Sequence, residues 1–442
     1  MKLIIGNDIK IENPNEAIKK YCDTKLTIDN PTYINAERLG RYLGNIPKKM
    51  KLYIKDGNCL KLPFGCLKEI WKDCYGSVFE TKFAIFKGNS MQGGITLRDY
   101  QERALKSLLE GKNGVLQAPC GSGKTQIGLQ LIKSIGGKAL WLTHTKKLLD
   151  QSKQRCEMYF TGDFGTITEG NVNIGKDITF ATVQTMSKLD VETYKDAFDI
   201  VVVDECHHCI GSPTKVMQFY KIITNCNCRY KYGLSATLNR ADNMINCVFY
   251  LIGGILHTIK KEEVGDYTVK AEHRKVDIDL DYNMFEYLDT DGTINYAKLI
   301  NMLSTDEKRN KIILDNILEC DKQGRKQIVL CHRVNQAELL YNELSKVTKA
   351  SLVVGKIKGK KREFTGNIIV ATYSLASEGL DIPDLDTLHL VTPQKNKSTT
   401  EQCVGRIERS AKGKGNPICY DYVDTTISYC INCYKQRKRV LK

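Results

Sequence analysis

The sequence predicts an α/β protein in which two parallel-sheet units follow one another, preceded by a small α+β domain. Its 442 residues suit two or three domains rather than one core. From about residue 100 onwards, short apolar strands alternate with helical stretches, a pattern typical of a parallel sheet covered by helices on both faces. A glycine-rich loop follows the first of these strands. The predicted domains are 1–90, 91–265 and 266–442.

The glycine-rich loop has the composition of a phosphate-binding loop, with strand 114–117 before it and helix 126–135 after it. Glycines let backbone N–H groups surround phosphate oxygens, and the helix N-terminus adds its dipole. Lys124 is expected to reach the terminal phosphates of ATP, and the Thr125 hydroxyl to hold Mg²⁺. The motif is a variant, because Ala118 stands where the common pattern has glycine. The residues assigned to ATP in this loop are Ala118, Pro119, Cys120, Gly121, Ser122, Gly123, Lys124 and Thr125.

An acidic pair follows one of the other strands predicted for the first unit. After a helix at 100–110, these strands are 114–117, 139–142, 178–180, 200–203 and 231–234. Asp204 and Glu205 come directly after strand 200–203, and ligand sites of such sheets lie at the carboxyl ends of strands. Asp204 is therefore predicted to bind Mg²⁺, and Glu205 to orient and deprotonate the attacking water.

A second alternating unit follows a connection expected within 256–308. Its predicted helices are 308–319, 335–345 and 399–409. Its predicted strands are 327–331, 351–354, 367–371, 387–391 and 418–421.

The first 90 residues differ from the rest, with alternating apolar segments at 51–55 and 59–63 separated by turn signals. Basic residues recur in this segment: Lys48, Lys49, Lys51, Lys55, Lys61, Lys68 and Lys72. A face that binds duplex DNA and a packing cap with a solvated surface are equally compatible with this pattern.

The composition indicates a globular protein with a polyanionic partner. The chain is 42% hydrophobic and 26% charged, with a formal net charge of +15. Neither a membrane-spanning run nor a secretory signal is apparent, so we expect a reduced, cytoplasmic protein without membrane contact. The abundance of Lys, Ile and Asn hints at an AT-rich viral or phage genome, in which case the compartment would be the host cytoplasm.

The cysteines do not predict a structural metal. Among the 17 cysteines, two pairs have C-x-x-C spacing, Cys206/Cys209 and Cys430/Cys433. A zinc site needs four ligands together, and neither pair has a second pair nearby in sequence. We therefore predict no structural zinc, with most cysteines acting as small buried apolar residues.

Several motifs, taken in order, resemble those of superfamily 2 helicases. Ala118–Thr125, Asp204-Glu205-Cys206-His207 and Ser235-Ala236-Thr237 resemble motifs I, II and III. Thr143-His144-Thr145 and the segment 180–184 fit the strand-contacting motifs Ia and Ic. In the second unit, segments 371–372 and 378–381 resemble motif V, and segment 402–409 resembles motif VI. The resemblance spans about residues 95–425 and implies two RecA-like domains.

The resemblance also implies roles for residues outside the phosphate loop and the acidic pair. Arg98 and Gln101 would contact the adenine base, and Gly379 and Asp381 the ribose side of ATP. Gln402, Arg406 and Arg409 would complete the catalytic site from the second domain. The implied nucleic-acid contacts are Thr143, His144, Thr145, Thr182, Gln184 and Thr372, and the implied coupling residues are Ser235, Ala236 and Thr237.

Within the superfamily, segment 97–101 (Leu-Arg-Asp-Tyr-Gln) resembles the branch of DExH helicases that contains XPB, UvsW and RecG. The segment 26–33 is similar to phage branch-migration helicases and poxvirus transcript-release helicases. These resemblances imply an ATP-dependent DNA helicase or translocase that unwinds or branch-migrates forked and branched DNA in replication, recombination or repair. We expect it to be a monomer.

Three other functions are considered for a chain with these motifs. The same motor could act on RNA or on a transcription complex. A scaffold with an inactive motor is disfavoured because Lys124, Glu205 and Arg406 are all present, and a nuclease-coupled translocase because residues 1–90 hold no convincing cluster of metal-binding carboxylates. The basic cluster at 356–362 fits attraction to a duplex and a solvated loop equally well.

Overall fold

A computed structural model describes residues 1–40, 42–119, 121–210, 212–236, 238, 244–264, 269–354, 366–373, 382, 384–408 and 413–439. The chain divides into two compact units, Met1–Glu263 and Val264–Lys442. Each unit contains a mainly parallel sheet with helices, so the predicted tandem α/β architecture is confirmed.

The first unit is built on an eight-stranded sheet in the order β13-β12-β14-β10-β15-β16-β9-β17. Only the β12–β13 pair is antiparallel. All five strands predicted here are present, each within two residues of its predicted ends, because runs of β-branched and other apolar residues favour buried strands. The strands of this part of the chain are β8 (Gln92–Gly93), β9 (Asn113–Gln117), β10 (Ala139–Thr143), β11 (Phe160–Thr161), β12 (Phe164–Thr168), β13 (Asn171–Asn173), β14 (Ile178–Thr182), β15 (Ile200–Asp204), β16 (Tyr230–Ser235) and β17 (Ile255–Thr258).

Helices connect these strands and cover the sheet. They are Asp99–Gly111, Lys124–Ile135, Lys146–Tyr159, Val183–Met186, Pro213–Asn225, Asn246–Leu251 and Lys261–Val264. The helix after the phosphate loop begins at Lys124, two residues before the predicted start, because Gly123 adopts a left-handed conformation that sets the helix N-terminus.

The first 90 residues form a five-stranded sheet in the order β5-β6-β2-β1-β7 and a small β3–β4 pair. The strands are β1 (Lys2–Ile5), β2 (Asp8–Glu12), β3 (Thr27–Asp29), β4 (Lys49–Lys51), β5 (Ile54–Asp56), β6 (Cys59–Pro63) and β7 (Val78–Thr81). The helices are Glu16–Thr24, Pro31–Arg38 and Leu67–Ile70, with 3₁₀ turns at Phe64–Cys66 and Trp71–Cys74.

This amino-terminal part shares a hydrophobic core with the first parallel sheet. Leu3 and Ile9 belong to the same buried cluster as Phe219 of helix Pro213–Asn225. At Gly65 a Cβ atom would lie 2.1 Å from the carbonyl oxygen of Phe249, so only glycine permits the close approach of the two backbones. The amino-terminal residues are therefore packed against the first sheet rather than tethered beside it.

Polar contacts reinforce this junction. The buried Lys231 ammonium donates to the carbonyl oxygen of Asn7 and lies 5.3 Å from the centre of the Phe64 ring. Asp199, at the amino end of β15, accepts hydrogen bonds from the backbone N–H groups of Lys87 (2.8 Å) and Gly88 (3.0 Å). Hydrogen bonds to a buried carboxylate are among the stronger ones in proteins, so the connecting segment is fixed at the amino edge of the sheet.

The second unit contains a parallel sheet in the order β18-β23-β22-β19-β21-β20. The strands are β18 (Glu272–Ile278), β19 (Gln327–Cys331), β20 (Ala350–Val353), β21 (Ile368–Thr372), β22 (Thr387–Leu390) and β23 (Ile418–Asp424). The helices are Tyr296–Thr305, Glu307–Lys322, Val334–Ser345, Lys397–Ile407 and Ser428–Lys438. A buried ion pair joins Arg309 to Asp424 of β23, with both side chains fully inaccessible to solvent.

Over the ranges given above, the helices are all too short or too polar to cross a bilayer. The same ranges hold no group of three or more His, Cys, Asp or Glu side chains placed to bind a metal. Cys206, Cys209, Cys430 and Cys433 are buried.

Candidate nucleotide and nucleic-acid site

The strand register brings the predicted site residues of the first unit to one edge of the sheet. Thr143 and Thr182 are paired at the carboxyl ends of β10 and β14. Asp204 ends β15, the neighbour of β10 on its other side, and Ser235 is paired with Gln117 at the ends of β16 and β9. Parallel strands thus place the phosphate loop, the acidic pair and both strand-contacting motifs along a single edge.

The phosphate loop is held in a conformation that requires glycine. Gly121 and Gly123 have φ angles of 82° and 80°, and a Cβ at Gly123 would lie 2.3 Å from the Gln101 Nε2 atom. Lys124 is only 8% exposed, and its ammonium donates a 3.2 Å hydrogen bond to the carbonyl oxygen of Ala118. The lysine side chain therefore lies back over the loop, where phosphate oxygens would be bound.

Side chains from segment 97–101 support this loop. The Gln101 amide donates to the carbonyl oxygen of Ser122 (2.8 Å), and the Tyr100 hydroxyl donates to the same oxygen (3.2 Å). The Gln101 side-chain oxygen accepts from the backbone N–H of Arg98 (2.9 Å). Gln101 is 3% exposed, so the structure places it beneath the loop. Its predicted contact with adenine, and that of Arg98, remain predictions.

The acidic pair lies next to the lysine. Glu205 adopts a φ of 48°, a left-handed conformation that costs energy for a non-glycine residue and is common at functional sites. This turn brings the Glu205 Oε1 atom to 3.4 Å from the Lys124 Nζ atom. The Glu205 backbone N–H donates to the Asp204 carboxylate (3.0 Å).

The two carboxylates have different electrostatic environments. Burial, and then the neighbouring Glu205 charge, raise the pKa of Asp204 to about 7. Burial also acts to raise the pKa of Glu205, but the Lys124 charge and the neighbouring His207 outweigh it and the pKa is lowered. Opposite shifts in adjacent carboxyl groups are typical of catalytic sites.

The residues present fit a magnesium ion and a reacting water. Mg²⁺ prefers oxygen ligands, which the Thr125 hydroxyl and the Asp204 carboxylate supply. The Glu205 Oε2 atom is buried and, among the described residues, has no hydrogen-bond donor, although the His207 Nδ1 atom lies 3.4 Å away. A buried acceptor without a donor is suited to receive a proton from water.

Motif III is joined to both the loop and the acidic pair. The Ser235 hydroxyl lies 2.8 Å from the His207 Nδ1 atom, and the Ser235 carbonyl oxygen accepts from the backbone N–H of Ala118 (2.9 Å). Ala236 follows at the end of the strand. Ser235 therefore connects the loop to His207, whose Nδ1 atom lies 3.4 Å from Glu205.

Three histidine rings continue this connection towards the predicted nucleic-acid contacts. His208 stacks on His144 with ring centres 3.9 Å apart, and lies 4.1 Å from His207 on its other side. Burial lowers the pKa of His144 to about 4, so its ring is neutral at physiological pH. The stack, defined as His144, His208 and His207, links the strand end of β10 to the acidic pair. The sequence reasoning assigned no role to His208.

The threonines of the strand-contacting motifs cap the turns that follow their strands. The Thr143 hydroxyl donates to the carbonyl oxygen of Thr145 (3.0 Å), and the Thr145 hydroxyl accepts from the N-terminal turn of helix Lys146–Tyr159. Thr182 caps the short helix that contains Gln184 in the same way. Capped helix N-termini present backbone N–H groups to anions such as phosphate.

The second unit places Thr372 at the carboxyl end of β21, paired with Cys331 of β19. Gln402 and Arg406 lie on helix Lys397–Ile407. Other predicted site residues lie outside the described residues: Cys120, Thr237, Gly379, Asp381 and Arg409, together with the basic cluster at 356–362.

Comparisons with known proteins agree with this geometry. Residues 94–240 match the family described as the res subunit of type III restriction enzymes, and residues 308–411 match the helicase conserved C-terminal domain. Two tandem parallel sheets with these motifs define an ATP-dependent helicase of superfamily 2.

Three named proteins are similar in sequence to this chain. A protein of Acanthamoeba polyphaga mimivirus named as an ATP-dependent RNA helicase is 28% identical over 84% of this chain and 72% of its own length. The DNA 3′-5′ translocase XPB2 of Sulfurisphaera tokodaii is 28% identical over 60% of this chain and 59% of its length. The transcript termination protein of fowlpox virus is 26% identical over 71% of this chain and 70% of its length. The chain is therefore similar to helicases that include an XPB translocase and a poxvirus transcript termination protein.

A solved structure supports the fold. Saccharomyces cerevisiae Dbp5 bound to RNA and ADP BeF₃ is similar, with a TM-score of 0.55 and 17% identity over 86% of this chain and 92% of that one. The predicted RecA-like fold of the two units is thereby confirmed.

Proposed function

We propose that the protein is a DNA helicase or translocase that uses ATP hydrolysis to unwind or branch-migrate forked and branched DNA. The observation that carries this proposal is the single sheet edge that holds the phosphate loop, Glu205 and the strand ends Thr143 and Thr182. Glu205 and Thr143 come at the ends of neighbouring strands, β15 and β10, which supports coupling of ATP hydrolysis to strand contact.

The proposed chemistry uses side chains that lie along this edge. Lys124 neutralises charge on the terminal phosphates of the substrate ATP, and Glu205 orients and deprotonates the attacking water. A Mg²⁺ ion held by Thr125 and Asp204 would neutralise developing phosphate charge. Because Glu205 is the partner of Lys124 in the structure, substrate phosphates would replace that carboxylate as the counter-ion of the lysine.

We assign the remaining residues of the proposed ATP site to the second unit. Arg406 and Arg409 stabilise charge on the γ-phosphate, with Gln402 beside them in the motif. Gly379 and Asp381 contact the ribose side. Closure of two domains around ATP and reopening after hydrolysis would then drive each step along the strand.

Strand contact is proposed to be independent of sequence. Thr143, Thr145 and Thr182, with the backbone N–H groups of the turns they cap, would bind phosphates, which position a strand without reading bases. His144, Gln184 and Thr372 complete this set. Ser235 and Ala236, with Thr237, would couple strand binding to hydrolysis.

The preference for branched DNA is assigned to the first 90 residues. This segment holds sixteen Lys and Arg against ten Asp and Glu, which favours a phosphate backbone. Because it is packed on the first sheet, duplex bound to it would be held at a fixed position relative to the phosphate loop. Its resemblance to branch-migration helicases supports the same assignment.

A second candidate function is a motor acting on RNA or on transcription complexes. It is favoured by the names of two relatives, an RNA helicase and a transcript termination protein. The fold is common to both candidates.

One experiment separates them. ATP hydrolysis is measured with single-stranded DNA and RNA of matched length, and unwinding is measured on DNA forks, Holliday junctions, tailed duplexes and RNA duplexes. Stimulation by DNA together with unwinding of forks and junctions is expected. Stimulation by RNA alone would favour the second candidate and contradict the first.

A further inference from the structure

An exposed group of aromatic side chains lies on the amino-terminal part of the first unit. Trp71 is 53% exposed, Tyr75 98% and Phe79 42%. The rings of Trp71 and Phe79 lie with their centres 4.8 Å apart and their planes at 31°. Trp71 and Phe79, together with the exposed Tyr75 four residues after Trp71 in sequence, are called the aromatic platform.

The fold keeps this platform exposed. Trp71 belongs to a 3₁₀ turn whose other side is anchored by the buried Cys74, with Ile70 buried just before it. Phe79 is on β7, which pairs with β1 alone among the described strands and forms the edge of its sheet. The rings are thus attached to a rigid backbone while their faces are open to solvent.

Two exposed lysines flank Trp71 of the platform. Lys68 and Lys72 precede and follow Trp71 on the same segment and are exposed. Neither lysine has an ion pair with any residue the structure describes. Of the nearby acids, Glu80 pairs with Lys2 (2.8 Å), Glu69 accepts a hydrogen bond from the Tyr21 hydroxyl (2.9 Å), and Asp73 follows Lys72 in sequence.

We infer that the aromatic platform binds unpaired bases of single-stranded nucleic acid, with Lys68 and Lys72 contacting the flanking phosphates. Alternation of exposed aromatic rings with unpaired cations is the arrangement that binds single strands without reading their sequence. Any ligand that covers this face has to supply acceptors for the two lysine charges, and the phosphates that flank stacked bases do so. The inference rests on the proposed function and adds to it a site for the strand displaced at a fork.

The two tryptophans of the chain permit a direct test. Trp141 is fully buried in β10, so collisional quenchers and ligands reach Trp71 alone. A 20-nucleotide oligo-dT is titrated against the full chain without ATP, and stacking on Trp71 is expected to quench its fluorescence. Trp71→Phe keeps an aromatic ring, so that variant is expected to bind with similar affinity but without the quench.

A second measurement tests the bases and the rings together. Binding of oligo-dT and of an abasic strand of equal length is followed by fluorescence anisotropy. The wild-type chain is expected to prefer the strand with bases. The variant Trp71→Ala/Tyr75→Ala is expected to lose roughly tenfold or more in affinity for that strand, so that it binds both strands equally. Phe285→Ala, which removes another highly exposed ring in the second unit, serves as the matched control.

The contribution of Lys68 and Lys72 is tested separately, by the salt dependence of binding. Lys68→Gln/Lys72→Gln is expected to reduce the slope of log affinity against log salt by about 1.4, since each neutralised single-strand phosphate contributes about 0.7. Unchanged oligo-dT affinity in Trp71→Ala/Tyr75→Ala, or a quench that persists in Trp71→Phe, would overturn the inference. Failure of the proposed function appears separately, as absence of DNA-stimulated ATP hydrolysis in the wild-type chain.

Discussion

The histidine stack predicts that His208 transmits nucleic-acid binding to the hydrolytic site. His208 contacts His144 at 3.9 Å and His207 at 4.1 Å, and it lies outside the predicted ATP and strand contacts. Replacing it with alanine removes both ring contacts while leaving Lys124 and Glu205 in place. We expect His208→Ala to weaken the stimulation of ATP hydrolysis by nucleic acid.

The size of the effect follows from the two contacts. An aromatic pair contributes about 0.5–1.5 kcal/mol beyond its area burial, so two pairs give a coupling free energy of about 1–3 kcal/mol. In a variant that loses all of this coupling, the enhancement of DNA affinity by bound nucleotide falls by about 5- to 150-fold, and we expect the stimulation of turnover by DNA to fall with it.

The assay is steady-state ATP hydrolysis with and without saturating oligo-dT, which separates kcat from the concentration of DNA giving half-stimulation. Coupling is reciprocal for binding, so the enhancement of DNA affinity by a non-hydrolysable ATP analogue should shrink as well. His208→Phe keeps a ring and should retain more coupling than His208→Ala. His257→Ala is the matched control, because His257 contacts Ser107 (3.0 Å) away from the stack.

Full stimulation in His208→Ala would refute the reasoning, since both ring contacts would be absent without consequence. Equal loss of basal and stimulated turnover, with a lowered melting temperature, would also refute it, because His208 would then support the fold rather than the coupling.

Three further predictions concern catalysis and stability. Lys124→Ala should abolish ATP turnover, because no other cation could replace its charge at the phosphates, and wild-type turnover in that variant would contradict the site. Arg406→Ala should still bind nucleotide while losing on the order of 10³-fold in turnover, whereas a parallel loss of affinity would indicate a structural role. Burial lowers the pKa of His389 from 6.5 to about 3, so the unfolded chain binds the proton more readily and stability falls as pH drops below about 6.5. Between about pH 7.5 and pH 5, this residue should lower the free energy of unfolding by about 2 kcal/mol. Hydrogen exchange of β22 measures the change, which should be smaller in His389→Gln.

Strand positions were predicted well from the sequence because each strand is a short apolar run that can be recognised from its own residues. Strand 327–331 was predicted with its observed ends, since Gln327–Cys331 is a short buried run flanked by polar residues. The helix after the phosphate loop was predicted to begin at Gln126, whereas Gly123 makes it begin at Lys124. Local apolar periodicity does not report a left-handed residue at a helix start.

The site was predictable in its members but not in its internal contacts. Thr143 and Glu205 were both identified by motif, yet their proximity depends on β10 lying between β14 and β15. Chain order alone does not give that arrangement, because three strands intervene in sequence between β10 and β14. The stack of His144 on His208, and the serine bridge at Ser235, follow from this sheet order and not from any motif.

The amino-terminal segment illustrates a second limit of sequence reasoning. Its strands are encoded locally, but its partner surface on helix Pro213–Asn225 is distant in sequence. Alternating apolar residues indicate that one face of a strand is buried, but they do not indicate which surface it packs against.

The shared core of the first unit has a practical consequence for building chimaeric helicases. Grafting residues 1–90 onto another motor, or deleting them, would uncover Phe219 and leave the buried Lys231 without the carbonyl of Asn7. A transplantable block must therefore extend through Glu263, where the first compact unit ends. Exchange of substrate preference between related motors is more readily attempted by replacing exposed side chains on the amino-terminal surface than by moving that segment as a cassette.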